Sequence, residues 1–145
     1  WNIRFVNNTC VHAGTVWSHR QRPDPNGSHL MFYSNTAATS GIEVKNNIFC
    51  HATEWGSRYS SGWRVLPDMD YNLWFTRTGV MAYWFRQKIP GFDEYQRTTG
   101  LDAHSRFADP EFVDPDRGDF RLGPHSPARS LRPDGGPVGA EMLWK

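Results

Sequence analysis

The sequence predicts an all-β fold in which short strands stack coil upon coil. The stretch NIRFVNNTCVHA at residues 2–13 recurs as GIEVKNNIFCHA at residues 41–52, and equivalent residues lie 39 positions apart. A related pattern, MDYNLWF, follows at residues 69–75. Useful helical periodicity is confined to residues 92–100. Together these observations predict a right-handed parallel β-helix, a solenoid whose C-terminal coils carry a loop-rich terminal cap.

Paired asparagines explain how such a coil turns. Asn7–Asn8 and Asn46–Asn47 interrupt the alternating apolar residues in both copies. Asparagine tolerates the left-handed backbone conformation of a tight corner, and its amide can bond to the coils on either side. We therefore expect each pair to stack on its equivalent, about one strand spacing of ~4.8 Å away.

Further short strands complete the expected coils. Residues 29–36 and 79–85 are rich in aromatic and branched side chains and are bounded by turn formers. We assign residues 1–91 to the last coils of the solenoid and residues 92–145 to a capping segment of the same domain. The stretch FDEYQRTTG within that segment predicts one short helix that ends at Gly100.

Composition excludes several functional classes. The formal net charge of +1 gives no electrostatic basis for binding nucleic acid, and no apolar run is long enough to span a bilayer. Cys10 and Cys50 lie one position out of register in the repeat, so we expect buried thiols on opposite faces and no disulfide. Metal-type spacing such as C-x-x-C is absent. We expect no cofactor, with calcium as the one option left open.

The segment HSRFADPEFVDPDRGDFRLGPHSPA, from His104 to Ala128, resembles the closing segment of the right-handed parallel β-helix (pectate-lyase-like) superfamily. The resemblance covers most of residues 29–140. It implies an extracellular, cell-surface or periplasmic protein that acts on carbohydrate. It also implies that the closing segment is structural, so no catalytic role is carried onto His104, Asp109 or Asp114.

The first residue, Trp1, stands inside an expected strand. We therefore interpret the chain as the C-terminal part of a longer protein or as a processed chain. On that interpretation its first partner is the set of missing N-terminal coils.

Two long loops, residues 14–28 and 53–68, follow the equivalent histidines and are expected to lie side by side. Tryptophan and arginine recur in both. Flat aromatic faces bind sugar rings, and arginine binds carboxylate or sulfate groups. The predicted substrate-binding residues are Trp17, Arg20, Trp55, Arg58 and Trp63. The same composition would serve a protein interface, and that alternative stays open.

Three residues near these loops are candidates for catalysis. Glu54 stands beside Trp55, and a carboxyl group beside an aromatic ring can have a raised pKa. His12 and His51 occupy equivalent positions, so a stacked pair could serve as acid and base. The competing interpretations are a solvated glutamate and two histidines bonded to the backbone.

These features predict part of a secreted polysaccharide-degrading enzyme. A glycoside hydrolase, which needs two carboxylates around the glycosidic bond, is the first choice. The alternatives are a polysaccharide lyase acting on an acidic glycan and a non-catalytic glycan-binding or structural surface protein. The expected partner is a polysaccharide or oligosaccharide, with no role for nucleic acid.

Overall fold

The computed structural model describes residues 2–15, 27–34, 40–63, 65–77 and 80–143. Within these ranges the strands form three sheets of three or four strands and one hairpin. The first sheet contains β1 (Ile3–Val6), β4 (Ile42–Lys45) and β7 (Asp68–Asp70). The second contains β2 (Thr9–Ala13), β5 (Ile48–Ala52), β8 (Leu73–Phe75) and β11 (Arg106–Phe107).

The third sheet contains β3 (Leu30–Ser34), β6 (Ser57–Gly62), β9 (Ala82–Trp84) and β10 (Gln87–Ile89). The hairpin pairs β12 (Phe112–Asp114) with β13 (Asp119–Leu122). One α-helix, α1, spans Phe92–Thr99, and short 3₁₀ segments lie at Pro115–Arg117, Pro127–Ser130 and Glu141–Leu143. No helix in the described ranges combines the length and apolar character needed to cross a bilayer.

The sequence repeat sets the register of the first two sheets. Ile3 pairs with Ile42, and Thr9 pairs with Ile48, in both cases between parallel strands. Each asparagine doublet separates a strand of the first sheet from a strand of the second. The expected single strands therefore break in two at the doublets, because the chain turns there.

The two asparagines of a doublet have different tasks. Asn7 and Asn46 adopt left-handed backbone conformations, with φ of 56° and 57°. The amide oxygen of Asn47 accepts hydrogen bonds from the backbone N–H of Asn8 at 2.9 Å and from its side-chain amide at 3.1 Å. Asn47 in turn donates to Asn72 at 3.0 Å. The predicted stacking of the doublets is confirmed.

A buried carboxylate ends this row of amides. Asp102 accepts hydrogen bonds from the side chains of Asn72 at 2.8 Å, Ser105 at 2.5 Å and Tyr95 at 3.0 Å. Burial raises the pKa of Asp102, whereas these donors act in the opposite direction. The row of amides thus finishes on a satisfied acceptor inside the protein.

Aromatic side chains fill the space between the sheets. The Phe49 and Trp74 rings stack at 4.2 Å between centroids, and the Phe32 and Tyr59 rings stack at 4.5 Å. All four residues are buried in one cluster. Because pairs of strands in register carry the stacked rings, the repeat also organises the core.

Residues of the predicted capping segment, 92–145, cover one side of the second sheet. Leu122, Ala128 and Val138 pack against Ile48 and Leu73, on the side of the second sheet that faces away from the aromatic core. The physical reason is that β5 and β8 are apolar on both faces, and a second apolar face needs its own cover.

The predicted all-β class and right-handed parallel β-helix are wrong. The described residues form an α/β-like arrangement of small, mostly parallel sheets with one helix, and not a solenoid. The asparagine repeat sets the parallel pairing of neighbouring strands in the first two sheets, but it does not continue through the rest of the chain. The antiparallel pairs β9–β10 and β12–β13, together with α1, interrupt the repeat.

Two smaller predictions are confirmed. Helix α1 ends at Gly100, whose φ is 70° and whose N–H bonds to the carbonyl of Gln96. Cys10 pairs with Phe49, whereas Cys50 pairs with Val11, so the two thiols are free and out of register as predicted, although Cys10 is only partly buried. Burial raises the pKa of Cys50 to about 12, so that thiol is uncharged at neutral pH.

Candidate functional site

The structure describes three of the five predicted substrate-binding residues. Trp17 and Arg20 lie outside the described residues. Trp63 is only 8% exposed, and its ring centroid lies 5.1 Å from that of Phe32 in the core. Trp63 is therefore a packing residue, and its assignment to substrate binding is corrected. Trp55 and Arg58 remain.

The second expected loop, residues 53–68, contains strand β6. This strand pairs in parallel with β3 and β9. Ser57 and Tyr59 point inwards, so Arg58 faces outwards by the alternation of a strand. The strand escaped sequence reasoning because serine and glycine at four of its six positions hide the usual apolar alternation.

Aromatic and cationic side chains meet on the outer side of the third sheet. Tyr83 on β9 lies opposite Arg58 of the neighbouring strand β6 and opposite Lys88 of β10, on its other side. The Arg58 guanidinium lies 5.5 Å from the Tyr83 ring centroid, and the Lys88 ammonium lies 5.6 Å from the Trp55 ring centroid. The two rings are 5.3 Å apart. We call these four residues the cationic aromatic face.

Two more exposed side chains lie beside this face, on strand β3. Met31, which pairs with Arg58, is 44% exposed, and Tyr33 is 71% exposed. On the opposite side of the same strands, Ala82 and Ile89 are fully buried. Because a packed core holds the sheet from behind, the side chains of this face are presented on a rigid support.

Glu54 stands at the edge of the face, beside Trp55. Its backbone N–H donates to the carbonyl of Gly27 at 3.3 Å. One side-chain oxygen, Oε2, is buried and has no hydrogen-bond partner among the described residues. An unpartnered buried carboxyl oxygen is costly, so this atom marks Glu54 as an unusual carboxyl group beside the face.

The two predicted histidines lie elsewhere, in a cavity of about 210 Å³ between the second sheet and the closing segment. We call it the histidine pocket. Its polar lining comprises His12, His51, Arg77, Asp109 and Glu111. The apolar walls are Val11, Cys50, Phe112, Pro115 and Phe120. Glu54 does not line it, so the three predicted catalytic residues are not brought together.

His12 and His51 pair as their equivalent positions predict. Their ring centroids are 5.5 Å apart, and both residues have left-handed backbones with φ of 56° and 58°. Burial is the main cause that lowers the pKa of His51, and the neighbouring Arg77 guanidinium lowers it further. The His51 imidazole is therefore neutral at pH 7. The imidazole of His12 is the third contributor to the same shift.

A third histidine lies within electrostatic range of this pair. Burial lowers the pKa of His29 to about 4, and the other two histidines add to the effect. Its Nε2 atom is buried and has no hydrogen-bond partner among the described residues, and its ring centroid lies 5.5 Å from that of Phe49. Among the described residues no group of three or more His, Cys, Asp or Glu side chains is arranged to hold a metal ion.

Sequence reasoning missed Arg77, Asp109 and Glu111. The two acids fall in the segment interpreted as structural, and Asp109 does have a local task, since its Oδ1 accepts the Glu111 N–H at 2.9 Å. Only the path of the closing segment over the second sheet brings them to the histidines. No short motif in the sequence signals that contact.

Comparison with known proteins adds no family. No protein-family model, no curated protein and no solved structure matches the chain. The resemblance of the closing segment to the right-handed parallel β-helix superfamily is therefore overturned, since neither a matching family nor a solenoid accompanies it. Function has to be argued from the two sites.

Proposed function

We propose that the protein binds an acidic polysaccharide on the cationic aromatic face. The observation that carries the proposal is the pairing of each cation with a ring: Arg58 with Tyr83, and Lys88 with Trp55. All four side chains occupy the outer side of one sheet. We place this activity outside the cell, where acidic polysaccharides are displayed.

The chemistry of the face suits a chain that carries both sugar rings and negative charge. Aromatic faces contact the apolar C–H surface of a pyranose ring. The Arg58 guanidinium can bind a carboxylate or sulfate through two parallel hydrogen bonds, whereas Lys88 contributes a mobile point charge. Neither cation forms an ion pair with an acid within the described residues.

The test is binding of polygalacturonate and heparin, with dextran as the neutral comparison, measured by isothermal titration calorimetry. Arg58→Gln and Lys88→Gln should each weaken binding to the acidic chains about tenfold, because each removes a charged hydrogen-bond donor. Raising the salt concentration should weaken binding in the same direction.

Arg106→Gln is the matched control, because Arg106 is exposed on the second sheet and not on the third. It should leave affinity unchanged. If dextran binds as tightly as the acidic chains, or if Arg58→Gln and Arg106→Gln behave alike, the proposal fails.

Glycoside hydrolysis on the same face is a second candidate, favoured by the buried Oε2 of Glu54 beside Trp55, which has no hydrogen-bond partner among the described residues. A carboxyl group in that position could protonate a leaving oxygen. The wild-type protein should then release new reducing ends from a bound polysaccharide, and Glu54→Gln should stop release while binding persists. New ultraviolet absorbance from unsaturated sugars would indicate elimination. If neither new reducing ends nor unsaturated sugars appear, the face binds polysaccharide without cleaving it.

A further inference from the structure

We propose that the histidine pocket is a separate binding site for a single sugar unit that carries no negative charge. This site is distinct from the cationic aromatic face, because it lies on the second sheet and carries more carboxylates than guanidinium groups. It would recognise one neutral sugar or amino sugar, either free or at the end of a chain.

The size of the pocket limits the ligand to about one ring. A volume of about 210 Å³ is small, since pockets for small molecules commonly have volumes of ~300–1,000 Å³. Extended oligosaccharides need a longer groove. Phe112 and Phe120 form part of the wall, and an aromatic wall suits the C–H face of a pyranose.

The polar groups of the pocket offer both hydrogen-bond donors and acceptors to sugar hydroxyls. Within the described part of the chain, neither Arg77 nor Glu111 forms an ion pair. Asp109 uses Oδ1 for the Glu111 N–H and keeps Oδ2 for a ligand. Hydroxyl groups pair with both kinds of partner, so a polyhydroxylated ring would satisfy this mixed set.

The balance of charge decides between sugar classes. One guanidinium faces two carboxylates, and the His51 imidazole and the Cys50 thiol are both neutral at pH 7. Counting the Arg77 guanidinium and the two carboxylates, the pocket has one net negative charge. A uronic acid would meet repulsion from Asp109 and Glu111, whereas the ammonium group of an amino sugar would be attracted.

The test is ligand-observed NMR titration of the whole protein with glucose, galactose, mannose, glucosamine and glucuronate at pH 7. We expect glucosamine or a neutral hexose to bind at least about tenfold more tightly than glucuronate, a difference within the reach of one charged contact. Glu111→Gln should weaken glucosamine binding about tenfold. The control Asp116→Asn removes an exposed carboxylate from the same segment and should change nothing.

Two results would overturn the proposal. In the first, glucuronate binds as tightly as glucosamine; in the second, no sugar shows binding that Glu111→Gln weakens. His51→Asn provides a second variant whose residue tolerates the left-handed backbone at that position. It should also weaken binding. Arg58→Gln should leave monosaccharide binding unchanged and Glu111→Gln should leave polysaccharide binding unchanged, so failure at one site is distinguishable from failure at the other.

Discussion

Replacing Asn72 by alanine should destabilise the protein by about 4 kcal/mol. Asn72 is fully buried, and its side chain forms four hydrogen bonds. Its oxygen accepts from the backbone and the side-chain amide of Asn47, while its nitrogen donates to the carbonyl of Val44 and to Asp102. Alanine would leave all four partners without this contact.

The magnitude follows from the price of unmet hydrogen bonds inside a protein. Each buried donor or acceptor that loses its partner costs about 1–3 kcal/mol. Because Asp102 keeps two other donors and the backbone can relax, we take about 1 kcal/mol for each of the four contacts.

Asn8→Ala is the matched control for this change. Asn8 belongs to the same row of amides but is only partly buried, and its side chain donates two hydrogen bonds, to Val6 and Asn47. Water can replace part of what is lost, so we expect a cost of about 1–2 kcal/mol.

Urea unfolding followed by tryptophan fluorescence measures both changes. The midpoint should fall in the order wild type, Asn8→Ala, Asn72→Ala, with the slope of free energy against urea unchanged. If Asn72→Ala costs no more than Asn8→Ala, the row of amides does not stabilise the fold in the way that its geometry indicates.

Three further predictions concern buried side chains. The folded-state pKa of Asp102 is raised. The free energy of unfolding should therefore fall as pH rises from the unfolded pKa of ~3.8 through the folded value. Urea titrations at several pH values measure this slope, and Asp102→Asn should remove it. The pKa of His29 is lowered from 6.5 to about 4. The contribution of His29 to the free energy of unfolding should therefore be complete above pH 6.5 and fall by up to about 3 kcal/mol as pH drops towards 4. A His29→Phe variant that keeps this pH dependence would contradict the reasoning. Trp63→Ala should cost about 3–5 kcal/mol by opening a cavity while the folded protein binds polysaccharide unchanged, which calorimetry at low temperature can check.

The sequence by itself determined the pairing of β1 and β2 with β4 and β5. Two asparagine doublets 39 residues apart predict which residues of β1 and β2 face which residues of β4 and β5, and the structure has that register. The reason is local: asparagine takes the left-handed corner and bonds to its equivalent in the next strand. The same local logic places Gly100 at the end of α1.

Only the tertiary structure decided the fold class and both sites. The repeat specifies contacts between neighbouring strands, but it carries no information about where α1, the hairpins or the closing segment interrupt it. Tyr83 and Lys88 join Arg58 through strands that lie 24 to 31 residues from it in sequence, and Asp109 reaches His51 across 58 residues. Such distant contacts depend on which apolar faces the chain buries against each other, and that choice is made by the whole packed molecule.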